Sequence, residues 1–314
     1  MNQPVPPQGP PQEPPPLPPP RHWELLGLMN PPLALSAAAE SLAGALAADV
    51  SFSSPAPYIL ALTSALLFAA GSVFGHYFDR QTDARRRPER PIPSGRLDAG
   101  LMWRLALLLL GTGTLLPLLL GQLAALVGLG VALAVVLYAA VAKNTWGASF
   151  LVLGGARGLN LVLGLTAGDQ GLPRLGMAAL PVLLHGIGWA LLRACRQPGT
   201  PPTTGFVALL HLGAATSALF YQVGARFAYR LDAVPFLTLY LALTFPRVVS
   251  AVLEPRRPLV AAATQYSFVG LTLLEASLAA GYDGFWSGLI VALLGVLAFG
   301  LLRRWPVSLL TDPR

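Results

Sequence analysis

Charge is what this sequence lacks most. Asp, Glu, Lys and Arg make up 11% of its 314 residues, less than half of the roughly 25% that keeps an ordinary soluble domain solvated. With hydrophobic residues at 54% and a mean hydropathy of +0.60, a water-soluble globule is excluded. Cysteine is nearly absent. Cys195 is the only one, so no intrachain disulfide and no multi-thiolate metal site is expected to support the fold. The first twenty residues contain no apolar core, so they do not read as a cleavable signal. Acids are missing altogether between Asp169 and Asp232. What remains is an all-α, polytopic membrane protein. Its net charge of +7 does not indicate nucleic-acid binding, because Lys and Arg in such a chain first serve to hold loops on the cytoplasmic side.

Proline is densest at the start of the chain: eleven of the 30 prolines fall in residues 1–20. Residues 1–22 are therefore expected to form a proline-rich disordered tail, which cannot bury a core. The transmembrane domain is expected over 23–304, with a short tail at 305–314. Within that domain, apolar stretches recur near 28–48, 57–77, 101–119, 122–142, 147–167, 175–195, 205–225, 231–250, 258–280 and 284–302. At 1.5 Å per residue each is long enough for a hydrocarbon layer of about 30 Å. The last is the weakest, so the expectation is nine to ten spans. With the N-terminus inside, all but Arg157, Arg174, Arg226 and Arg230 of the 21 basic residues fall on the cytoplasmic side. This asymmetry predicts a cytoplasmic N-terminus and an even number of crossings.

The polar residues of interest cluster where spans end. If the second span continues helically, His76, Asp79 and Asp83 occupy positions i, i+3 and i+7 on one face. Two carboxylates a turn apart can share a divalent cation, and Mg²⁺ favours oxygen ligands while leaving sites for phosphate oxygens. Arg85, Arg86, Arg87 and Arg90 follow, and guanidinium groups suit a diphosphate through bidentate contacts. Pro88, Pro91 and Pro93 stop the helix and fold the basic loop back. The same spacing equally describes a positive-inside loop whose acids pair with its own arginines. Arg157 lies near mid-membrane, where a charge costs at least about 2.5 kcal/mol and must find partners. It either joins an interhelical clasp with Glu40 or Glu275, or lines a substrate cavity with Asn160, three positions on. Gly154, Gly155, Gly158 and Gly164 are expected to let neighbouring helices approach. His211 and Glu275 read as hydrogen-bonded residues of the bundle interior. Tyr77 and Tyr138 read either as interfacial anchors or as π faces for a carbocation.

The run Tyr77-Phe78-Asp79-Arg80-Gln81-Thr82-Asp83, followed by Arg90-Pro91-Ile92-Pro93-Ser94-Gly95, resembles the first aspartate-rich motif of the UbiA-type prenyltransferases. There the pattern is Asn-Asp-x-x-Asp-x-x-x-Asp and then Arg-Pro-Ile-Pro-Ser-Gly. Met29-Asn30-Pro31 resembles the family's Arg-Pro start of the first span, with Asn30 in place of the arginine. Tyr138 and Lys143 resemble the Tyr and Lys that close the fourth span. Arg157-Gly158-Leu159-Asn160-Leu161 resembles the fifth-span signature, particularly in the EboC-like branch. The likeness runs over roughly 25–300 and is strongest over 71–165.

The resemblance implies a helix bundle around a central cavity, open toward the cytoplasm and the lipid. It also implies transfer of a prenyl group from a Mg²⁺-bound prenyl diphosphate to an aromatic or other lipid-soluble acceptor. Asp79 and Asp83 would be metal ligands, joined by His76 as a catalytic candidate. Arg87, Arg90, Lys143, Tyr138, Arg157 and Asn160 would bind substrate. Two departures stand out. Gly75-His76 replaces Asn-Asp, and the second aspartate motif, expected after the sixth span, has no acid. His185, Trp189, Arg193 and Arg196 share a helical face there, so the Arg193 and Arg196 guanidinium groups are candidates to replace the second cation's charge. These departures also fit a family member that binds an isoprenoid or other lipid, or acts as a scaffold, without turnover. A transporter is disfavoured, because no inverted repeat or pair of broken helices is evident. The expected location is the bacterial cell membrane, with the active-site loops cytoplasmic.

Overall fold

The computed structural model describes residues 21–145, 147–168, 172–194, 204–223 and 231–305. The tail over 1–20, Cys195, Arg196 and the side chain of Arg193 lie outside the described residues. Among the described residues eleven α-helices follow in order: α1 (Arg21–Met29), α2 (Pro31–Ala47), α3 (Ala56–Arg86), α4 (Ala99–Leu115), α5 (Gln122–Ala140), α6 (Ala148–Leu165), α7 (Leu172–Ala194), α8 (Thr204–Val223), α9 (Val234–Leu253), α10 (Arg257–Asp283) and α11 (Phe285–Leu301). No strand occurs among the described residues. Each of the ten expected apolar segments is helical over most of its length. Six described helical segments are long and apolar enough to cross a membrane: Ala56–Arg86, Ala99–Leu120, Gln122–Ala140, Ala148–Leu165, Leu231–Leu253 and Arg257–Asp283.

The first expected span, 28–48, is α2 preceded by the last two residues of α1, a separate helix. Pro31 disfavours helical backbone at the residue before it, and Asn30 adopts a left-handed conformation with φ 55°. Its side-chain oxygen accepts from the Leu33 N–H at 3.4 Å, capping α2, as Asn does well. α1 therefore stands apart. Arg21 and His22, expected in the tail, already belong to its first turn. Trp305, expected in the C-terminal tail, packs on Trp23 with ring centroids 5.2 Å apart.

α2 sits inside the bundle, against α3, α6, α10 and α11. Its buried face is made of small residues: Ser36, Ala37, Ala39, Ser41, Ala43, Gly44 and Ala45. Lipid tails are as apolar as leucine, so helices in a membrane associate through close packing, which small side chains permit. A Cβ on Gly164 would collide with the Ser41 carbonyl, and one on Gly44 with the Leu161 carbonyl. Gly154 likewise seats α6 against α7, where a Cβ would collide with Ile187, whereas a Cβ on Gly158 would make only ordinary contact with Leu183 and Gly155 faces open space. Many large apolar side chains point outward, for example Leu108, Leu119, Leu126 and Leu133 on the α4–α5 hairpin, forming a surface suited to a hydrocarbon phase.

Candidate active site

α3 continues helically beyond its apolar stretch as far as Arg86, so His76, Asp79 and Asp83 do share one face at its C-terminal end. Arg87 precedes Pro88 and leaves the helix with φ −149°, its N–H bonded to the Asp83 carbonyl. The loop then turns back tightly. Ser94 N–H donates to the Arg90 carbonyl at 2.9 Å and Leu97 N–H to the Pro91 carbonyl at 2.9 Å, while Gly95 takes a φ of 76°. Ile92 and Leu97 are buried with Leu28, Val73, Phe74 and Met102. Asp98 ends the loop by capping α4, its Oδ1 accepting from Leu101 N–H at 2.7 Å. The prolines thus fold the basic loop back onto α3, as expected.

This return places Arg90 on Asp83, with Nη1 2.8 Å from Oδ2. Lys143 arrives from the short turn Ala142–Asn144 after α5. Its Nζ lies 2.9 Å from Asp79 Oδ2 and donates to the Gly75 carbonyl at 3.0 Å. His76 is half-buried, and its charged neighbours are Arg90, Asp79 and Lys143. Five of the expected site residues therefore converge: His76, Asp79, Asp83, Arg90 and Lys143. Arg87 stands at the helix end beside them, and Tyr138, on α5, packs at the edge of the core around Phe68 and Trp189.

Both carboxylates face basic groups, so they present negatively charged oxygens of the kind Mg²⁺ takes. Among the described residues no group of three or more His, Cys, Asp or Glu is placed to hold a metal ion. Two acids alone suit a Mg²⁺ that completes its shell with water and phosphate oxygens. The donor chemistry fits a cation delivered together with a diphosphate.

Arg157 and Asn160 are elsewhere. Arg157 is fully buried, with Nε 3.1 Å from Glu40 Oε1 and Nη2 3.8 Å from Glu275 Oε1. Nη2 also donates to Ser36 Oγ at 2.7 Å, and the guanidinium lies 5.4 Å from the centre of the Phe68 ring. Asn160 donates to Glu40 Oε2 at 2.6 Å and accepts from Ser64 Oγ at 2.6 Å. This clasp joins α2, α3, α6 and α10. Phe68 precedes Asp79 by eleven residues on α3, roughly 16 Å along the axis. Such a separation sets Arg157 and Asn160 apart from the aspartates, in contact with Glu40, Ser36 and Ser64.

The face of α7 that includes His185 and Trp189 is also committed to the bundle. His185 contacts Tyr240 Oη at 3.1 Å and the Ser267 carbonyl at 2.7 Å, and Trp189 Nε1–H donates to the Thr264 carbonyl at 3.1 Å. His211, an interior residue as expected, bonds Val207 O and Ser267 Oγ. Sequence reasoning missed Glu24 and Arg96, which form an ion pair with Arg96 Nε 2.6 Å from Glu24 Oε1. Arg96 directly follows the Arg-Pro-Ile-Pro-Ser-Gly run, which was the available signal. Glu24 carried none.

An apolar-surfaced helical bundle with ionised acids and bases drawn together at one end is an integral membrane protein with a polar mouth suited to a polyanion and its counter-cation. The profile of the UbiA prenyltransferase family matches residues 37–314, and the chain belongs to that family. Among curated relatives, digeranylgeranylglyceryl phosphate synthase of Methanothrix thermoacetophila is 40% identical over 28% of this chain and 34% of its own length. The enzyme of the same name from Methanothermobacter thermautotrophicus is 36% identical over 33% and 38%. The chain thus aligns with only about a third of these relatives' length. Among solved structures, a UbiA homologue from Archaeoglobus fulgidus bound to GPP and Mg²⁺ superposes with a TM-score of 0.61 at 14% identity, covering 79% of this chain and 99% of that one. The apo form of a UbiA homologue from Aeropyrum pernix gives 0.62 at 16%, covering 78% and 96%.

Proposed function

We propose that this chain is a membrane prenyltransferase that transfers an isoprenoid group from a prenyl diphosphate to a lipid-soluble acceptor, with Mg²⁺ as cofactor. The observation that carries the reading is the pairing of Asp79 with Lys143 and of Asp83 with Arg90 at one end of α3. Asp79 and Asp83 would hold Mg²⁺, which when bound offsets charge on the diphosphate leaving group. Arg90 and Lys143 then exchange their carboxylate partners for phosphate oxygens and stabilise the negative charge that develops as the C–O bond breaks. His76, between them, is placed to hydrogen-bond a phosphate oxygen or to take the proton that the acceptor loses. The transfer also requires that water, which would otherwise capture the allylic cation, be kept from it. The relatives' name, digeranylgeranylglyceryl phosphate synthase, favours a glyceryl phosphate lipid as acceptor over an aromatic one. In this reading the mouth opens to the bacterial cytoplasm, where the basic loops belong.

A second reading has one observation in its favour. Both aspartates already have basic partners, so the mouth is neutralised without a metal, as in a lipid-binding family member without turnover. Titration of geranyl diphosphate into the detergent-solubilised protein separates the two. Tight binding is expected only with MgCl₂ present, and MgCl₂ alone is expected to bind weakly. Replacing Asp79→Asn and Asp83→Asn together is expected to weaken Mg²⁺-dependent binding by about 100-fold, or 2.7 kcal/mol. Unchanged binding would remove the transferase reading. Binding without diphosphate release in the presence of pooled lipid alcohols would favour the second.

A further inference from the structure

α1 has no part in the chemistry above, yet it is held by three separate contacts. Leu28 is buried against the Arg90 loop residues Ile92 and Leu97. Trp23 stacks on Trp305, whose Nε1–H donates to the Trp23 carbonyl at 3.3 Å. The third contact is polar. The Glu24 side chain is 4% exposed and meets Arg96 Nε at 2.6 Å. The other arm of the same guanidinium, Nη2, donates to the backbone carbonyl of Glu89 at 2.7 Å.

Glu89 is the residue immediately before Arg90. A carboxylate on α1 thus fixes a planar guanidinium, the guanidinium fixes a carbonyl of the loop, and the next side chain along meets Asp83 at 2.8 Å. Guanidinium is suited to this because its donors diverge in a rigid fork, so restraining one arm restrains the other. Glu89 is exposed. Its link to Arg90 is held within the loop by Arg90 N–H donating to the Arg87 carbonyl at 3.1 Å, the loop's other hydrogen bonds close around Arg90 to Leu97, and Arg96 adds the side-chain tie.

We propose that Glu24 is a positioning residue for the diphosphate site: acting through Arg96, it holds the Glu89–Arg90 backbone so that the Arg90 side chain is presented to the mouth. The inference rests on the reading of that mouth as a prenyl diphosphate site. Glu24 and Arg96 do not touch the substrate; they remove the ordering of a loop from the cost of binding, as preorganisation does generally.

The test uses the full chain in detergent, with hydrogen–deuterium exchange of residues 89–98 and the Kd of geranyl diphosphate in MgCl₂ as the two readouts. Glu24→Gln keeps the shape but loses the charge. It is expected to speed exchange over 89–98 and to raise the Kd about tenfold, with the thermal midpoint unchanged because Trp23 and Leu28 still seat α1. Glu24→Asp, which keeps the carboxylate, is expected to stay within about threefold. The reversed pair, Glu24→Arg with Arg96→Glu, restores the attraction but leaves no donor for the Glu89 carbonyl, so its Kd is expected to stay raised. Wild-type exchange over 89–98 in Glu24→Gln, or a wild-type Kd in the reversed pair, would overturn the proposal. If the wild-type protein binds no geranyl diphosphate while exchange still rises in Glu24→Gln, the loop assignment stands and the transferase reading falls.

Discussion

Two arginines show how differently one residue type is used in this chain. Arg90, at the mouth, is paired with one carboxylate at 2.8 Å and remains partly exposed. Arg157 is sealed from solvent between two glutamates. A buried ion pair adds little net stability, but removing one partner leaves a charge with nothing to offset it. Arg157→Met is therefore expected to destabilise the folded bundle by about 3–5 kcal/mol, read as a large fall in the thermal midpoint. The folded fraction is expected to keep its affinity for geranyl diphosphate, because the clasp lies far down α3 from Asp79. Weakened binding at an unchanged midpoint would return Arg157 to the substrate site. The sequence showed that Arg157 needs partners and named Glu40 and Glu275 as candidates. It did not show Ser36 and Ser64 joining them, because small hydroxyl side chains carry no periodic signal of their own.

Among the helices, the decisive features are breaks and close approaches. Asn30-Pro31 separates α1 from the first apolar stretch, since Pro31 restricts its predecessor and Asn tolerates the left-handed turn. That break frees α1 to turn toward the Arg90 loop, and Glu24 comes with it. Close approach is set by glycines, but not by all of those with the right spacing. Gly164→Leu is expected to force α2 and α6 apart and to abolish a cooperative thermal transition. Gly155→Leu, at a position where an added Cβ would meet nothing within 4 Å, is expected to leave the midpoint within about 2 °C, a shift of roughly 1 kcal/mol for a chain of this size. Equal effects of the two substitutions would contradict the packing of α2 on α6. Sequence reasoning grouped these glycines together because a helix of known handedness still has no known neighbour until it packs.

The whole molecule is an apolar bundle whose charged loops must lie in water on two sides of a bilayer. Ser53 and Ser94 are exposed and stand at opposite ends of α3, which makes them reporters of orientation. In a Cys195→Ser background, Ser94→Cys is expected to react with a membrane-impermeant thiol reagent only after cells are opened, and Ser53→Cys in intact cells. The reverse pattern would invert the proposed topology and place the mouth outside. The distribution of Lys and Arg supports the first outcome, because translocating them is disfavoured and they remain where the chain is made.

By itself the sequence determined what acts over short range: where each apolar helix runs, that α3 carries His76, Asp79 and Asp83 on one face, and that the prolines fold the basic loop back. Apolar run length, helical period and the restrictions of proline are local, so they are legible before any packing is known. Only the tertiary structure decided which charges meet. A guanidinium accepts any carboxylate within reach, and reach depends on how helices distant in the chain are brought together. That is why Arg90 and Lys143 gather at the aspartates, Arg157 and Asn160 withdraw into the clasp, and Glu24 comes to bear on the Arg90 loop from the far side of a break in the first span.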